Sequence, residues 1–334
     1  MNSPTTENFL PDYMPKHYGK EYCVFKGSAQ YPMFVATALG IKSVYDDWIP
    51  TEKLDEFKII CKQYGLHVEP DIIFAGPSVT KAEIAGSAQI TTTFFEGRRF
   101  SSSSKEGSIH VFVSQSKEKA VEAKKTGWYP LIIGGRIFNK PYIDNVRFGR
   151  LLGYPECCID FFRRFNDWGR YNHPHETCKN TLFKERPFAS FYCNNFLMDK
   201  TYSYIHHLPC SYTCHETIQY AVKLEQAFQE VEPDFVEQMH RFASLPLLVF
   251  GERHFILFDG TLTKENESIT INFNDAEYYY SISREEEKIP WAGKIFEADT
   301  LECIDSEIIA KKKSETLHTI KKNKEWFPIQ FNKL

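Results

Sequence analysis

Apolar positions recur along this chain with two different periods. Across residues 51–64, Leu54, Phe57, Ile60 and Cys61 repeat at helical spacing behind Thr51, which predicts a capped helix closed by Gly65. Met33, Phe34, Ala36, Leu39 and Ile41 predict a shorter helix over 32–41 that ends near Gly40. Residues 67–74 read as a strand and residues 22–25 as a short one. Ile109 to Val113 is an unbroken apolar run. Ser114 or Ser116 can cap a helix over 117–125, Gly127 closes it, and Pro130 to Ile133 reads as a second strand. Strand, helix and strand over about 25 residues predict a βαβ unit with a parallel pair. Gly134-Gly135-Arg136 follows at the carboxyl end of the second strand, where open α/β sheets bind ligands. No full phosphate-loop pattern accompanies it, so a plain turn is the simpler reading.

Helical spacing then dominates. Residues 144–152 predict a helix with Val146, Phe148, Leu151 and Leu152 inward, ended by Gly153. Pro155 starts the next, to about Trp168. Pro209 opens a long one to about Val231, with Ile218, Ala221, Leu224, Ala227 and Phe228 apolar. Pro233 breaks it, and 234–243 is a further helical piece. From Leu245 the pattern shortens to strands at 247–250, 254–258, 268–273 and 278–282, with Gly251-Glu252 and Asp259-Gly260 as turns. A last helix is expected over 306–322. Residues 75–107 carry loop signals, with a short helix at 81–87 and a loop at 94–107 that has Arg98 and Arg99 at its base. The expected fold class is α/β, α+β overall: a βαβ-containing core, a helical metal-site segment and a small C-terminal antiparallel β unit. The expected division is a flexible arm at 1–18, an α/β domain at 19–143, a helical cysteine-rich segment at 144–244, and the β unit with its helix at 245–334.

Composition changes this picture in three ways. First, 334 residues with 42% hydrophobic content, 28 Phe and 18 Tyr can bury a substantial core. No apolar run approaches the roughly 20 residues of a membrane helix. The first residues lack the basic start and apolar core of a signal peptide, so a cytoplasmic location is expected. Second, the net charge of −4 is unevenly spread: Gly97 to Arg186 holds 17 Lys and Arg against 9 Asp and Glu. Such a basic middle attracts an anionic ligand, nucleic acid included, although patchy surface charge is also the ordinary condition of proteins. Third, six of the nine cysteines lie between Cys157 and Cys214. An odd count in a large chain argues against a disulfide framework.

Two stretches concentrate the chemistry. Leu152-Gly153-Tyr154-Pro155-Glu156-Cys157-Cys158 places neighbouring thiols in the first turn of a helix. His206-His207-Leu208-Pro209-Cys210-Ser211-Tyr212-Thr213-Cys214-His215 answers it, with Cys210 and Cys214 at i,i+4 behind their own proline. A helix N-terminus exposes unpaired N–H groups and a partial positive charge, which favours thiolate. The two starts are expected to meet and share a metal, with Cys157, Cys158, Cys210 and Cys214 as ligands. Adjacent cysteines splay by about 100° on a regular helix, which favours a [4Fe-4S] cluster over zinc. The spacing matches neither common zinc knuckles nor ferredoxin runs. Buried thiols without metal are the plain alternative. His207 is the nearest acid–base candidate; His206 and His215 are further candidates, Cys178 and Cys193 are reserve ligands, and His173 and His175 read as loop residues. Arg147 and Arg150, with Arg163 and Arg164, can meet a carboxylate or phosphate, or form a solvated face.

The pair of motifs resembles an uncharacterised family of archaeal and bacterial proteins marked by Gly-Tyr-Pro-x-Cys-Cys followed by His-x-Pro-Cys-x-x-x-Cys, here Gly153 to Cys158 and His207 to Cys214. The resemblance spans about residues 108–260. It implies that the two stretches belong together, and it implies no activity. The expected function is a cytoplasmic iron–sulfur enzyme acting on an anionic small molecule, nucleotide or RNA, by sulfur transfer or Lewis-acid chemistry. The alternatives are a metal- or thiol-clamped binding protein for nucleic acid or a protein partner, and a Cys/His thiol enzyme without metal.

Overall fold

The structure is a computed structural model that describes residues 10–74, 108–126, 132–133, 136–137, 144–165, 173–181, 188–251, 254–279, 289 and 291–332. The expected helix at 81–87, the loop at 94–107 and the Gly134-Gly135 turn lie outside the described residues. Contacts divide the chain into two units: Met14–Tyr171 with Lys223–Glu232, and Met1–Tyr13 with Asn172–Val222 and Pro233–Leu334. The architecture is mixed α/β.

The first unit opens with α1 (Lys20–Lys26), α2 (Tyr31–Ala38), β1 (Tyr45–Pro50), α3 (Leu54–Gln63), β2 (His67–Phe74), β3 (Ser108–Ser114) and α4 (Lys117–Thr126). The expected strand at 22–25 is helical instead. Four apolar-rich residues are too few to separate a period of two from 3.6, and Gly19 (φ 78°) and Gly27 (φ 83°) bracket a single short helix. Helix α3 begins after a 3-10 turn at Thr51–Lys53, so Thr51 heads that turn and not the helix. Gly65, at φ 70°, closes α3 as read, with Gly65 N–H donating to Lys62 O and Leu66 N–H to Cys61 O. Cys61 is fully buried on the apolar stripe.

The sheet order is β1-β3-β2, and both pairings are antiparallel. The expected parallel pair therefore does not form. Strand, helix and strand do follow one another, but β3 already has a neighbour on each side and no ladder edge remains for a strand after α4. The next strands, β4 (Ile132–Ile133) and β5 (Arg136–Ile137), pair with each other. Strand β1 escaped the sequence reading because its buried face carries a charge. Tyr45, Asp47 and Ile49 alternate inward, and the buried Asp47 carboxylate accepts from Tyr22 Oη at 3.1 Å and pairs with Lys26 Nζ at 3.1 Å. Burial pushes the Asp47 carboxyl up, and Lys26 opposes that shift. The unit continues with α5 (Asn145–Leu151) and α6 (Glu156–Phe165), close to the bounds the spacing predicts.

The second unit holds α7 (His173–Asn180), β6 (Phe188–Ser190), most of the first turns of α8 (His215–Val231), α9 (Pro233–Phe242), β7 (Leu247–Gly251), β8 (His254–Glu265), β9 (Ser268–Tyr279), α10 (Ala292–Ile295), β10 (Thr300–Cys303), β11 (Glu307–Lys312), β12 (Glu315–Lys321) and β13 (Phe327–Asn332). The sheet order is β12-β11-β10-β9-β8-β7-β13-β6. Only the β13–β6 pairing is parallel, so a C-terminal antiparallel sheet is as read. Asp259-Gly260 is not a turn: it lies inside β8 opposite a bulge at Asn274 of β9, and a Cβ on Gly260 would stand 2.0 Å from the Asn272 carbonyl oxygen. The expected helix at 306–322 is a hairpin. Its turn is Lys313-Ser314, both at positive φ (49° and 70°), without the Gly or Asn that would have marked it. No helix among the described residues is long and apolar enough to cross a membrane.

One buried carboxylate ties the start of the first unit to its end. From Leu10 onward the N-terminal stretch is held and does not behave as an arm: Leu10 and Tyr13 are buried. Glu232, fully buried, accepts backbone N–H bonds from Lys16, His17 and Tyr18 at 2.9, 2.7 and 2.9 Å. Three donors converging on one carboxylate leave no replacement acceptor if it is lost. Glu232→Ala is expected to cost about 3 kcal/mol or more, read as a fall in the urea midpoint together with faster amide exchange at residues 16–18. An unchanged midpoint would refute this role.

Candidate metal centre

The first half of the site is built from the turn between α5 and α6. Asp144 caps α5 by accepting from Arg147 N–H at 3.0 Å. The helix ends with Gly153 at φ 75°, and Tyr154 N–H reaches back to Gly149 O at 2.9 Å. Pro155 follows as the residue whose carbonyl takes the first bonds of α6, from Cys158 N–H and Ile159 N–H, both 2.9 Å. Cys157 and Cys158 thus fall in the first turn of α6, as the spacing predicts. Their Sγ atoms lie 3.9 Å apart. Gly149 is required where it stands: a Cβ there would meet Ile159 Cγ1 at 2.9 Å, so α6 approaches α5 through the missing side chain.

Lys42 secures this turn, and nothing in the sequence marked it. It is 4% exposed, its Nζ donates to the Leu152 carbonyl, and it sits 4.9 Å over the Tyr154 ring. A cation at a helix C-terminus satisfies a carbonyl that has no partner within the helix, and the ring face adds attraction. Burial pushes the ammonium down to about 7, with Asp46 opposing. Asp46 in turn meets the buried His110 at 3.0 Å, and His110 stacks on Trp48. A lone lysine two residues after Gly40 has no pattern from which such a contact can be inferred.

The second half departs from the expectation. Helix α8 begins at His215, not at Pro209, so Cys210 and Cys214 do not share a helix face. Cys214 precedes the helix and its carbonyl accepts from Ile218 N–H at 3.0 Å. Cys210 sits in a turn. Hydroxyl residues explain the delay: Ser211 Oγ accepts from Thr213 N–H at 3.1 Å, and Cys214 N–H bonds Ser211 O at 3.1 Å, which offers the backbone an alternative to helix. Helix α7 and the residue after it hold the turn from outside. Thr177 Oγ1 donates to Pro209 O at 3.0 Å, Asn180 Nδ2 to Cys210 O at 2.6 Å, and Thr181 Oγ1 accepts from Tyr212 N–H at 2.9 Å. The segment 173–180, read as loop, is the helix that does this.

The four thiols come together. The Sγ atoms of Cys157, Cys158, Cys210 and Cys214 all lie within 4.8 Å of one another. Cys158 and Cys214 are buried at 2% and 6% exposure, while Cys157 and Cys210 reach solvent. Two sulfurs stand in the first turn of α6 and one at the threshold of α8, where unpaired N–H groups favour thiolate. The group is able to bind a metal.

Other candidates are placed elsewhere. Among the described residues, Cys178 and Cys193 are not in the group; Cys193 Sγ stands 3.9 Å from Cys214 O, and burial pushes the Cys178 thiol up. His207 is 6% exposed and its Nε2 meets Thr217 Oγ1 at 2.9 Å in the first turn of α8. His215 meets Gln219 on the exposed side of α8. Arg147 is paired with Glu122 at 2.7 Å, and Arg150 grips Glu156 with two bonds of 2.6 and 3.0 Å. Arg147 lines an open groove of about 710 Å³ with Lys117, Glu118, Glu122 and Lys125, a wall of both charge signs. An anion would have to displace a carboxylate from either arginine. Glu156 is accordingly held below the usual carboxylate range by Arg150.

No family model matches the chain, and neither a curated protein nor a solved structure matches it. Fold and site define a mixed α/β protein with a four-cysteine cluster able to bind a metal.

The buried lysine gives a pH signature. Between about pH 7 and the ordinary lysine pKa, the unfolded chain holds a proton on Lys42 that the folded chain has released, so folding is favoured as pH rises through that window. The wild type is expected to gain stability relative to Lys42→Met from pH 7 toward 10, by at most about 1.4 kcal/mol per pH unit. Parallel stability profiles for the two proteins would rule this out.

Proposed function

We propose that Cys157, Cys158, Cys210 and Cys214 hold a single tetrahedral metal ion of the zinc type, and that the protein is a metal-clamped binding protein. The observation that carries this is the closeness of the four sulfurs. With zinc–sulfur bonds of about 2.3 Å, neighbouring sulfurs of a tetrahedral four-thiolate site stand about 3.8 Å apart. The 3.9 Å between Cys157 and Cys158, and the 4.8 Å bound on the whole group, are near that value. In a [4Fe-4S] cluster each thiolate sits on its own iron, at the corners of a wider tetrahedron, roughly 6 Å on edge. Adjacent cysteines, which on spacing alone favour the larger centre, are thus supported here as ligands of one ion. Four thiolates fill its coordination and leave no position for substrate, which is the pattern of a structural site.

The partner in this reading is anionic, a nucleotide or RNA. Its support is the basic excess between Gly97 and Arg186, to which α6 contributes the exposed Arg163 and Arg164. Nine free thiols suit a reducing compartment such as the cytoplasm. The resemblance to the prokaryotic motif family adds the pairing of the two stretches as one site.

The iron–sulfur enzyme is the competing reading, and metal analysis separates the two. Protein purified without oxygen is expected to carry one zinc per chain and no sulfide, and Cys158→Ala or Cys214→Ser to lose it. Removing the ion with a chelator is expected to lower the melting temperature. Four irons with four sulfides and a visible absorption band would replace the zinc reading with the cluster, and a chain with neither metal would sink both.

A further inference from the structure

The four sulfurs are not equivalent as reactants. Cys158 and Cys214 are buried, whereas Cys157 and Cys210 reach solvent. A metal-bound cysteine is already a thiolate, and thiolate is the form that a peroxide oxidises. Two of the four ligands are thus open to attack from water. All four sulfurs lie within 4.8 Å of one another, so a sulfur oxidised at either open position has other thiolates close by. They differ in which can close a disulfide. Cys157 and Cys158 are neighbours across a trans peptide, with Cα atoms about 3.8 Å apart, under the roughly 4.4 Å at which disulfides begin. Cys210 and Cys214 carry no such bar, because they stand ahead of α8 in a turn. That turn is held by bonds that involve no sulfur. Thr177 Oγ1 donates to Pro209 O, Asn180 Nδ2 to Cys210 O, Tyr212 N–H to Thr181 Oγ1, and Cys214 N–H to Ser211 O. The bonds that set this pair in place are therefore independent of the ion.

We propose that the cluster is a peroxide-reactive site whose oxidised form is a Cys210–Cys214 disulfide, made with release of the ion. The proposal rests on the zinc reading above and adds a regulation to that site. The Cys210 thiolate attacks one oxygen of hydrogen peroxide: an S–O bond forms, the O–O bond breaks, and hydroxide leaves. The Cys214 thiolate then attacks the Cys210 sulfur: an S–S bond forms, the S–O bond breaks, and a second hydroxide leaves. The two sulfurs together lose two electrons and the peroxide gains them, and both hydroxides take protons from solvent to become water. Attack at Cys157 reaches the same end. Its sulfenic acid is resolved by Cys210, and Cys214 then displaces the Cys157 thiolate by exchange. The sulfurs of a disulfide no longer serve as thiolate ligands, so the ion is left with Cys157 and Cys158, half of a tetrahedral set. A dithiol reverses the step by exchange, returns both thiolates, and lets zinc bind again.

The test uses the full chain, with zinc counted before any oxidant is added. A chain that holds no zinc overturns the zinc reading, and the release with it. Zinc-loaded protein is then titrated with hydrogen peroxide in the presence of a zinc-sensitive dye. Free thiols are blocked afterwards and the disulfides mapped by mass spectrometry. The expected result is about one zinc released per peroxide consumed, a Cys210–Cys214 disulfide, and blocked thiols at Cys157 and Cys158. Dithiothreitol with added zinc is expected to restore the bound ion. Cys157→Ser is expected to form the same disulfide, and where that variant fails to fold the wild-type map alone decides. Zinc retained through a roughly tenfold excess of peroxide, a final disulfide that includes Cys157 or Cys158, or sulfinic acid without a disulfide would each overturn the proposal and leave the zinc reading standing.

Discussion

Everything at the four-cysteine cluster depends on where two helices begin. A thiol in the first turn, or just ahead of it, faces backbone N–H groups that have no partner within the helix, and the thiolate supplies one. The start of α6 is set by Gly153 and Pro155, which end one helix and open the next within three residues. The start of α8 is set by Ser211 and Thr213, whose hydroxyls hold the chain in a turn until His215. The first device draws Cys157 and Cys158 together on one turn. The second leaves Cys210 off the helix and Cys214 just ahead of it.

Buried charge does comparable work away from the sulfurs. Lys42 and Glu232 are each removed from water, and each is answered by backbone groups: a helix-end carbonyl for the ammonium, three N–H groups for the carboxylate. Such contacts are not cheap in desolvation, but they have a direction and a count that apolar packing lacks. They locate a turn or a terminus to within a hydrogen bond. Lys42 does this for the turn that leads into Cys157, so a residue more than a hundred positions earlier in the chain helps to place the two thiols of that turn.

Long elements with a clean period were legible: α3, α5, α6, α9, β2, β3 and, after Leu247, β7 to β9; β10 to β13 were not. The misreadings have specific causes. Tyr22 to Phe25 was too short to show a period. Tyr45 to Pro50 hid its alternation behind the buried Asp47. The β11–β12 hairpin turns at Lys313-Ser314, where left-handed backbone is taken by residues that do not advertise it. Gly260 looked like a turn because glycine is common in turns, and it stands mid-strand opposite the β9 bulge because the Asn272 carbonyl needs the space. For the site, all four cysteines were legible, through proline and cysteine spacing. Lys42 was not, nor was the pairing of Arg147 and Arg150 with Glu122 and Glu156.

By itself the sequence determined which residues are chemically able to hold a metal, and that two separate stretches carry them. Residue type and helix-start signals are local properties, and local properties survive in a one-dimensional reading. The tertiary structure decided how far apart the sulfurs stand. It also decided that β3 is flanked on both sides, so that no parallel pair forms. Distances between residues far apart in the chain are set by what else is packed around them, and no spacing along the sequence encodes them.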